Sequence, residues 1–380
     1  MPNTLTGLIP TLYESLDVVS RELVGYIPAV RMDAGPERAA KDQTVTAFRT
    51  PAATASDITP GANAPDNGDQ TITPVNVTIT KSRMVPVRWN GEEQRGVNTG
   101  PGYQAILRDQ FAQAMRTLVN EVEADLATVA KQGASRAYGT AGTTPFGTAG
   151  DYTDAAEVLK ILKDNGAPIS DLQLVVSTAA GARLRGRQAS AQMESSDDLR
   201  RRGVLLDIHG FSIRESAAAN VHVKGTGASY LVNNGSGIAI GGTTIAADTG
   251  SGTIIAGDVV TFAADAVNKY VVGTALSGGS FAINPNGARV AIPDNNAITV
   301  GNNYTLNSAF ARSAIVLAAR APARPVEGDM AEDVVLVTDP VSGLTFEVAL
   351  YKQYRQIKYE IGLAWGVKAV KEEHIATLLG

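Results

Sequence analysis

The stretch Tyr103–Lys131, YQAILRDQFAQAMRTLVNEVEADLATVAK, is the most regular in the chain. Leu107, Phe111, Met115, Leu118, Val122, Leu126 and Val129 recur in steps of 4, 4, 3, 4, 4 and 3, close to the 3.6-residue period of an α-helix. Pro101 and Gly102 precede the stretch and Gly133 follows it, and such residues mark helix boundaries. The seven apolar residues are expected to form the buried stripe. Arg108, Arg116, Asn120 and Glu123 are expected on the other side. At 1.5 Å per residue, the 29 residues reach roughly 43 Å. A helix that spans a whole domain is a strut for other parts to pack on.

Upstream of the strut the pattern changes twice. Leu12, Leu16, Val19, Leu23 and Tyr26 recur three or four apart, so Leu8–Met32 reads as an amphipathic helical arm interrupted at Pro28. An apolar stripe of that size needs another surface to lie on. Thr44–Phe48 and Thr73–Val87 alternate apolar and polar residues, as strands do. Between them Thr50–Gln70 holds Pro51, Pro60, Pro65, Gly61 and Gly68, which break regular structure. The simplest picture is a long two-stranded hairpin with an irregular tip. A hairpin alone is barely stable in water, so it implies a partner surface.

Downstream, Ala137–Tyr152 is a Gly/Thr/Ala linker, and a small α/β segment follows. Thr153 and Asp154 can cap a helix with Glu157 behind them. Val158, Leu159 and Leu162 give its buried face, and Asn165-Gly166 with Pro168 stop it. Leu172–Val176 reads as a buried strand, Thr178–Gln188 as a second helix, and Val204–Glu215 as strand–turn–strand around His209-Gly210. From Val221 to Leu306 short β-branched runs (Ile238–Ile240, Thr253–Ile255, Val259–Phe262, Tyr270–Val272, Arg289–Ile292, Ala297–Val300) alternate with turn residues. That rhythm predicts a small all-β barrel or sandwich. Phe310–Ala318 and Asp333–Thr338 resume mixed character. Thr345–Leu350, Tyr354–Leu363 and Ala364–Val370 read as β-rich, and Lys371–Leu379 as a short helix.

Composition narrows the function. The 380 residues are 44% hydrophobic and 19% charged, a globular balance. Cysteine is absent, which excludes disulfides, thiolate metal sites and a cysteine nucleophile. The histidines are His209, His222 and His374, with no two at helical ligand spacing. The net charge is −5, opposite to what a protein that coats nucleic acid needs. No basic segment and apolar run open the sequence, and no run of about 18 apolar residues occurs. Folding in a reducing cytoplasm, with no membrane contact, is therefore expected. A P-loop, a dinucleotide fingerprint, a G-x-S-x-G elbow and an H-E-x-x-H helix are all missing. No catalytic set, cofactor or metal is expected.

Three groups of residues invite a role. Arg183, Arg185, Arg187 and Arg200, Arg201, Arg202 form two clusters. They can be a solvated face, ion pairs to a neighbouring subunit, or phosphate contacts. Aromatic residues do not interleave with them, as single-strand binding would require. Asp66-Asn67-Gly68-Asp69 resembles a piece of a calcium loop but lacks its distal glutamate, so with Pro60 it reads as a polar loop tip. Trp89 and Trp365 are expected in a core or interface, and His209 in a turn.

The order of these parts resembles the major capsid proteins of tailed bacteriophages, the Hong Kong 97 (Johnson) fold. Arg202-Gly203-Val204-Leu205-Leu206-Asp207-Ile208-His209-Gly210-Phe211-Ser212-Ile213 looks like the A-domain segment in which a Gly/Leu-rich loop leads into a strand. Tyr354–Val370 is similar to the returning P-domain strands. A β-domain inserted after that A-domain strand looks most like that of the coat proteins of the short-tailed Salmonella-phage group, a resemblance that rests on Ala256–Ala263 and on Leu306–Arg320, where the chain rejoins the A-domain.

The resemblance implies an α+β fold divided into an N-terminal arm (1–41), an E-loop hairpin (42–97) with Pro60, Asp66, Gly68 and Asp69 at its tip, and a spine helix with linker (98–150). An A-domain (151–220 and 307–344), an inserted β-domain (221–306) and returning P-domain strands with a C-terminal helix (345–380) complete it. It further implies a non-enzymatic subunit that assembles into pentamers and hexamers of an icosahedral shell in the host cytoplasm. Scaffolding protein and portal would be its partners, with weak, non-specific contact to packaged double-stranded DNA. The competing reading, drawn from the Gly/Ala/Thr/Asn-rich region, is a β-rich tail-fibre or cell-surface adhesin. The long strut argues against it.

If the hairpin clasps a neighbour, limited proteolysis will nick free subunits between Ala52 and Asp69, while assembled shells resist at the same sites. Equal cutting in both states would remove the clasp.

Overall fold

The computed structural model describes residues 24–35, 37–49, 53, 55, 57–58, 60, 72–97, 103–148, 151–188, 207–339 and 342–380. Four α-helices occur among them: α1 (Gly91–Val97), α2 (Tyr103–Gln132), α3 (Thr153–Asp164) and α4 (Thr178–Gln188). The strut is there at its expected length. Leu107, Phe111, Met115, Leu118, Val122 and Leu126 are buried, and Val129 packs half-buried against the same core. The fold is mixed α+β, with its strands in three sheets.

The first sheet is built around one long strand, Gln356–Ala369. On one edge it pairs antiparallel with Lys81–Asn90. On the other it pairs first with Thr345–Gln353 and then with Ile315–Arg320. Asp333–Thr338 and Arg31–Asp33 extend the sheet beyond these two neighbours. Tyr359, Ile361, Leu363 and Trp365 alternate along the long strand, and all four join the core of α2. Such period-2 burial is how a strand gives one face to a helix. Phe111 meets Tyr359 edge-on at 5.2 Å. The indole N–H groups of Trp365 and Trp89 donate to Asp125 Oδ2 (2.9 Å) and Gln110 Oε1 (2.7 Å) on α2. Both tryptophans are thus core residues, as expected.

The second sheet runs in the order Arg136–Tyr138, Ile375–Leu379, Tyr304–Ala311, Leu172–Val176, Phe211–Glu215. Together with α3 and α4 it encloses a separate cluster that includes Phe146, Val158, Leu162, Leu174, Leu184 and Phe211. Next to it, six strands close on themselves. Val259–Phe262 pairs with Ala297–Val300, then come Tyr230–Val232, Thr244–Asp248, Ser280–Ile283 and Asp265–Ser277, which pairs back to Val259–Phe262. Closure leaves no open sheet edge. Phe262, Tyr270, Phe281 and Ile298 fill its interior. The barrel joins the second sheet where Lys269 and Tyr270 pair with Ala137 and Arg136. The third sheet is the ribbon Thr44–Arg49 with Thr73–Thr78.

Several sequence expectations need correction. The end of the chain is not a helix: Ile375–Leu379 is a strand lying between two others in the second sheet. Ile375 and Leu379 face the core of α2, while Ala376 and Leu378 face the second cluster. A short apolar run buried on both faces carries no period, so helix and strand look alike in sequence. Near Tyr26 the arm is not α-helical. Ile27–Ala29 makes one 3-10 turn and Arg31–Asp33 pairs parallel with residues 316–318.

Thr73–Val87 is two strands, Thr73–Thr78 and Lys81–Asn90, in different sheets. Helix α3 has no side-chain cap from Thr153 or Asp154; Asp151 accepts from the Thr153 N–H (2.9 Å), and Asp154 accepts from the Phe146 N–H (2.7 Å). In the barrel, Ile238–Ile240, Thr253–Ile255 and Arg289–Ile292 are not strands, apart from an isolated bridge between Ile238 and Ile292. Glu123 is not on the outer side of the strut: it is buried.

Leu118 is 1% exposed, whereas Asn120 faces solvent. Leu118→Ala is expected to cost about 2–5 kcal/mol, as in other cores. Leu118→Asp should abolish soluble folded protein while Asn120→Asp leaves it intact. Comparing soluble yield and thermal melts tests this, and equal tolerance would contradict a buried stripe.

Candidate functional site

No group of three or more His, Asp or Glu side chains suited to a metal ion occurs among the described residues. No helix among them is long and apolar enough to cross a membrane. Polar organisation is concentrated instead where separate parts of the chain are fastened to α2 and to the sheets.

The first fastening is Glu123, 2% exposed on the inner side of α2. Its carboxylate accepts from three consecutive backbone N–H groups: Gly25 (3.3 Å), Tyr26 (3.1 Å) and Ile27 (2.7 Å). The Ser216 hydroxyl donates to it as a fourth partner at 2.7 Å. These amides lie at the start of the 3-10 turn, where donors lack partners within the turn itself. Gly25 lies so close to Glu215 and Ser216 that a Cβ would sit 2.8 Å from Glu215 O. Tyr26 is fully buried, stacks on Phe310 at 6.4 Å and shares a 3.1 Å hydrogen bond with Ser308. Burial pushes the Glu123 carboxyl above the usual glutamate range, against the opposite pull of its four donors. Burial also raises the Tyr26 hydroxyl, and the nearby Glu123 charge adds to this.

The second fastening holds the strap that follows. Arg320 reaches Asp33 at 2.8 Å. The buried Glu347 carboxylate lies between Arg38 and Arg324. Arg324 also pairs with Asp329 at 3.0 Å, and Tyr351 donates to the same aspartate. Each of these pairs keeps one partner partly exposed, so each adds little stability by itself.

The third fastening mounts the barrel. His222 and Asp258 are both buried, with Nε2 and Oδ1 2.8 Å apart. Asp258 also accepts from Gly225 N–H and Ile255 N–H. Burial lowers Lys131, in the last turn of α2, below the usual lysine range, and Asp258 pulls it back up. Arg136 joins Asn268 of the barrel (3.0 Å) to Asp164 at the end of α3 (3.2 Å). Asn284 donates from the barrel to the carbonyls of Gln132 and Ala134.

The ribbon has the slightest attachment. Val77 and Ile79 are buried against Val316, Ala318 and Ala364. Thr80 N–H donates to Trp365 O at 3.1 Å. The ribbon root crosses directly over Gly366, where a Cβ would lie 1.9 Å from Thr78 O. Only glycine permits that approach.

The residues singled out in the sequence are differently placed. The spine stripe is assembled as expected. Arg183 donates to Thr144 O at 2.7 Å and Arg185 pairs with Glu215, so both already have partners within the subunit. Arg187 ends α4. Arg200, Arg201, Arg202, Asp66, Gly68, Asp69 and the arm before Val24 lie outside the described residues, while Pro60 is described and exposed. His209 occupies a turn with φ +52°. Sequence reasoning missed Glu123, Asp258, His222 and Arg136 as fastening residues. A signal existed for Glu123: it follows Val119 and precedes Ala127 by four residues, and both are buried.

No family model matches the chain, and no curated protein does. Solved structures do. One from Mycobacterium phage Che8 is 14% identical, with 90% of this chain and 88% of that one covered and a TM-score of 0.45. The capsid of cyanophage P-SCSP1u is 9% identical, with 92% and 86% covered and a TM-score of 0.48. The virus-like particle from Pyrococcus furiosus is 8% identical, with 97% and 98% covered and a TM-score of 0.45.

Gly366→Ala should shift the ribbon root and destabilise the protein by about 1–3 kcal/mol, the usual cost of overpacking. Hydrogen exchange at Ile79 and Thr80 should accelerate selectively. Unchanged protection at both amides would mean that the crossing is not constrained.

Proposed function

We propose that the chain is a major capsid protein of the Hong Kong 97 type, a structural subunit that assembles into the pentamers and hexamers of an icosahedral shell around double-stranded DNA. The observation that carries this reading is the ribbon Thr44–Arg49/Thr73–Thr78. It is two strands wide, pairs with no third strand among the described residues, and among them meets the body at its root, through Val45, Asn76 and Val77–Thr80. A two-stranded ribbon has too little buried area to be stable by itself. A second copy of the chain would supply the missing surface, and obligate interfaces of that sort bury about 2,000–5,000 Å².

In this reading α2 is the spine and the first sheet belongs to the P-domain, which thereby takes in Ile315–Arg320 and Asp333–Thr338 from the segment 307–344 expected in the A-domain. The second sheet with α3 and α4 is the A-domain, the ribbon is the E-loop, and residues 221–306 are the inserted β-domain. Stiffness of the body supports the same role. One helix locks both sheets together, so subunits can meet at different angles only through the attached arms. Arg183, Arg185, Arg187 and Arg200–Arg202 remain candidates for contacts between subunits, alongside the internal partners of the first two. Scaffolding protein and portal are the further partners proposed, with only weak contact to the genome, as the net charge of −5 favours. The chain carries out no chemical step in this role.

Expressed with a scaffolding protein, the chain should sediment as particles of megadalton mass and show closed shells by electron microscopy. A stable monomer as the sole species under those conditions would refute the assignment.

A further inference from the structure

We propose that Asn234-Gly235, in the barrel turn after Tyr230–Val232, is a site of spontaneous covalent modification, at which the Asn234 side chain closes on the Gly235 nitrogen and is converted to aspartate and isoaspartate. The site stands whether or not the chain builds shells, because the reaction needs only water and the atoms of this turn.

An asparagine followed by glycine can cyclise in this way because glycine has no Cβ to crowd the attacking nitrogen. Such pairs occur at Asn67, Asn90, Asn165, Asn234 and Asn286. Asn67 lies outside the described residues. The other pairs are separated by what the glycine N–H does. Gly91 N–H donates to Arg355 O at 3.4 Å, Gly166 N–H to Lys163 O at 3.0 Å, and Gly287 N–H to Asn284 O at 3.3 Å. Gly235 is exposed, and its N–H has no hydrogen-bond acceptor among the described residues.

The side chains differ as well. Asn90 Oδ1 caps α1 by accepting from Glu93 N–H at 2.7 Å. The Asn165 amide nitrogen, the group that would have to leave, is held by Ser135 Oγ and Glu373 O. Asn234 Oδ1 accepts from Ser236 N–H at 3.1 Å, two residues on. That local turn brings the side-chain amide back beside the peptide link to Gly235. The same N–H is placed to stabilise the oxyanion that forms on Oδ1 during attack.

The Gly235 nitrogen gives its proton to hydroxide and forms a bond to Asn234 Cγ. The bond from Cγ to the side-chain nitrogen breaks, and that nitrogen takes up a proton and leaves as ammonia. One water then opens the five-membered imide at either carbonyl, giving aspartate or isoaspartate. No oxidant or reductant takes part. Asn234 N–H donates to Asp294 Oδ1 at 2.8 Å, so the new carboxylate forms beside an existing one. Isoaspartate also adds a methylene to the main chain where Gly237 N–H reaches Asn234 O at 2.6 Å. Each event therefore adds one negative charge and loosens this end of the barrel.

The test is to hold the folded full chain at mildly alkaline pH and follow the Asn90, Asn165, Asn234 and Asn286 peptides by mass spectrometry over time. Conversion at Asn234 should outpace the other three, with isoaspartate among its products. In denaturant the lead of Asn234 should disappear. Gly235→Ala should lose most of the conversion at Asn234 and leave the other three unchanged. Nothing lies within 4 Å of a Cβ at that position, so the variant keeps the fold. Conversion at Asn234 no faster than at the other three, a product without isoaspartate, or undiminished conversion in Gly235→Ala would overturn the proposal.

Discussion

One helix has to bury its apolar side against two sheets at once, and most of the architecture follows from that. The stripe of α2 meets the long strand Gln356–Ala369 of the first sheet through Phe111 and Tyr359. The same core takes in Phe310 and Leu306 of the second sheet, and Val259 and Val271 at the base of the barrel. Packing at crystal-like density leaves no slack between such layers. The two sheets and the barrel are therefore indexed to one rigid axis, although their strands come from distant parts of the sequence.

Apolar contact fixes distance well and orientation poorly, because it has no direction. Directional contacts sit where separate segments of the chain meet. Glu123 takes the backbone of the strap, Asp258 and His222 seat the barrel, and Glu347 holds Arg38 and Arg324. Each joins residues far apart in sequence. Each is also a buried charge or polar group whose loss would leave partners unsatisfied, so these positions tolerate replacement less well than the exposed ion pairs. The ribbon lacks a fastening of this strength. Among the described residues it is held to the body by apolar contacts and a few hydrogen bonds at its root.

The sequence alone determined the parts whose pattern is local. The strut was legible because seven apolar residues repeat at the helical period over 29 residues, too long for chance neighbours to imitate. The barrel was legible as a class, since closely spaced turns leave short strands no alternative, though its members were not: Tyr230–Val232, Thr244–Asp248 and Ser280–Ile283 are strands that lie outside the β-branched runs. Only the tertiary structure decided whatever depends on a distant partner. Ile375–Leu379 is a strand because two strands flank it, and its own residues would suit a helix equally well. Glu123 looks like any charge on a long helix until Gly25, Tyr26 and Ile27 arrive from nearly a hundred residues away. Periodicity records which side of an element is apolar. It does not record which buried polar group will meet three unpartnered amides, because that information is divided between segments that meet only in the folded chain.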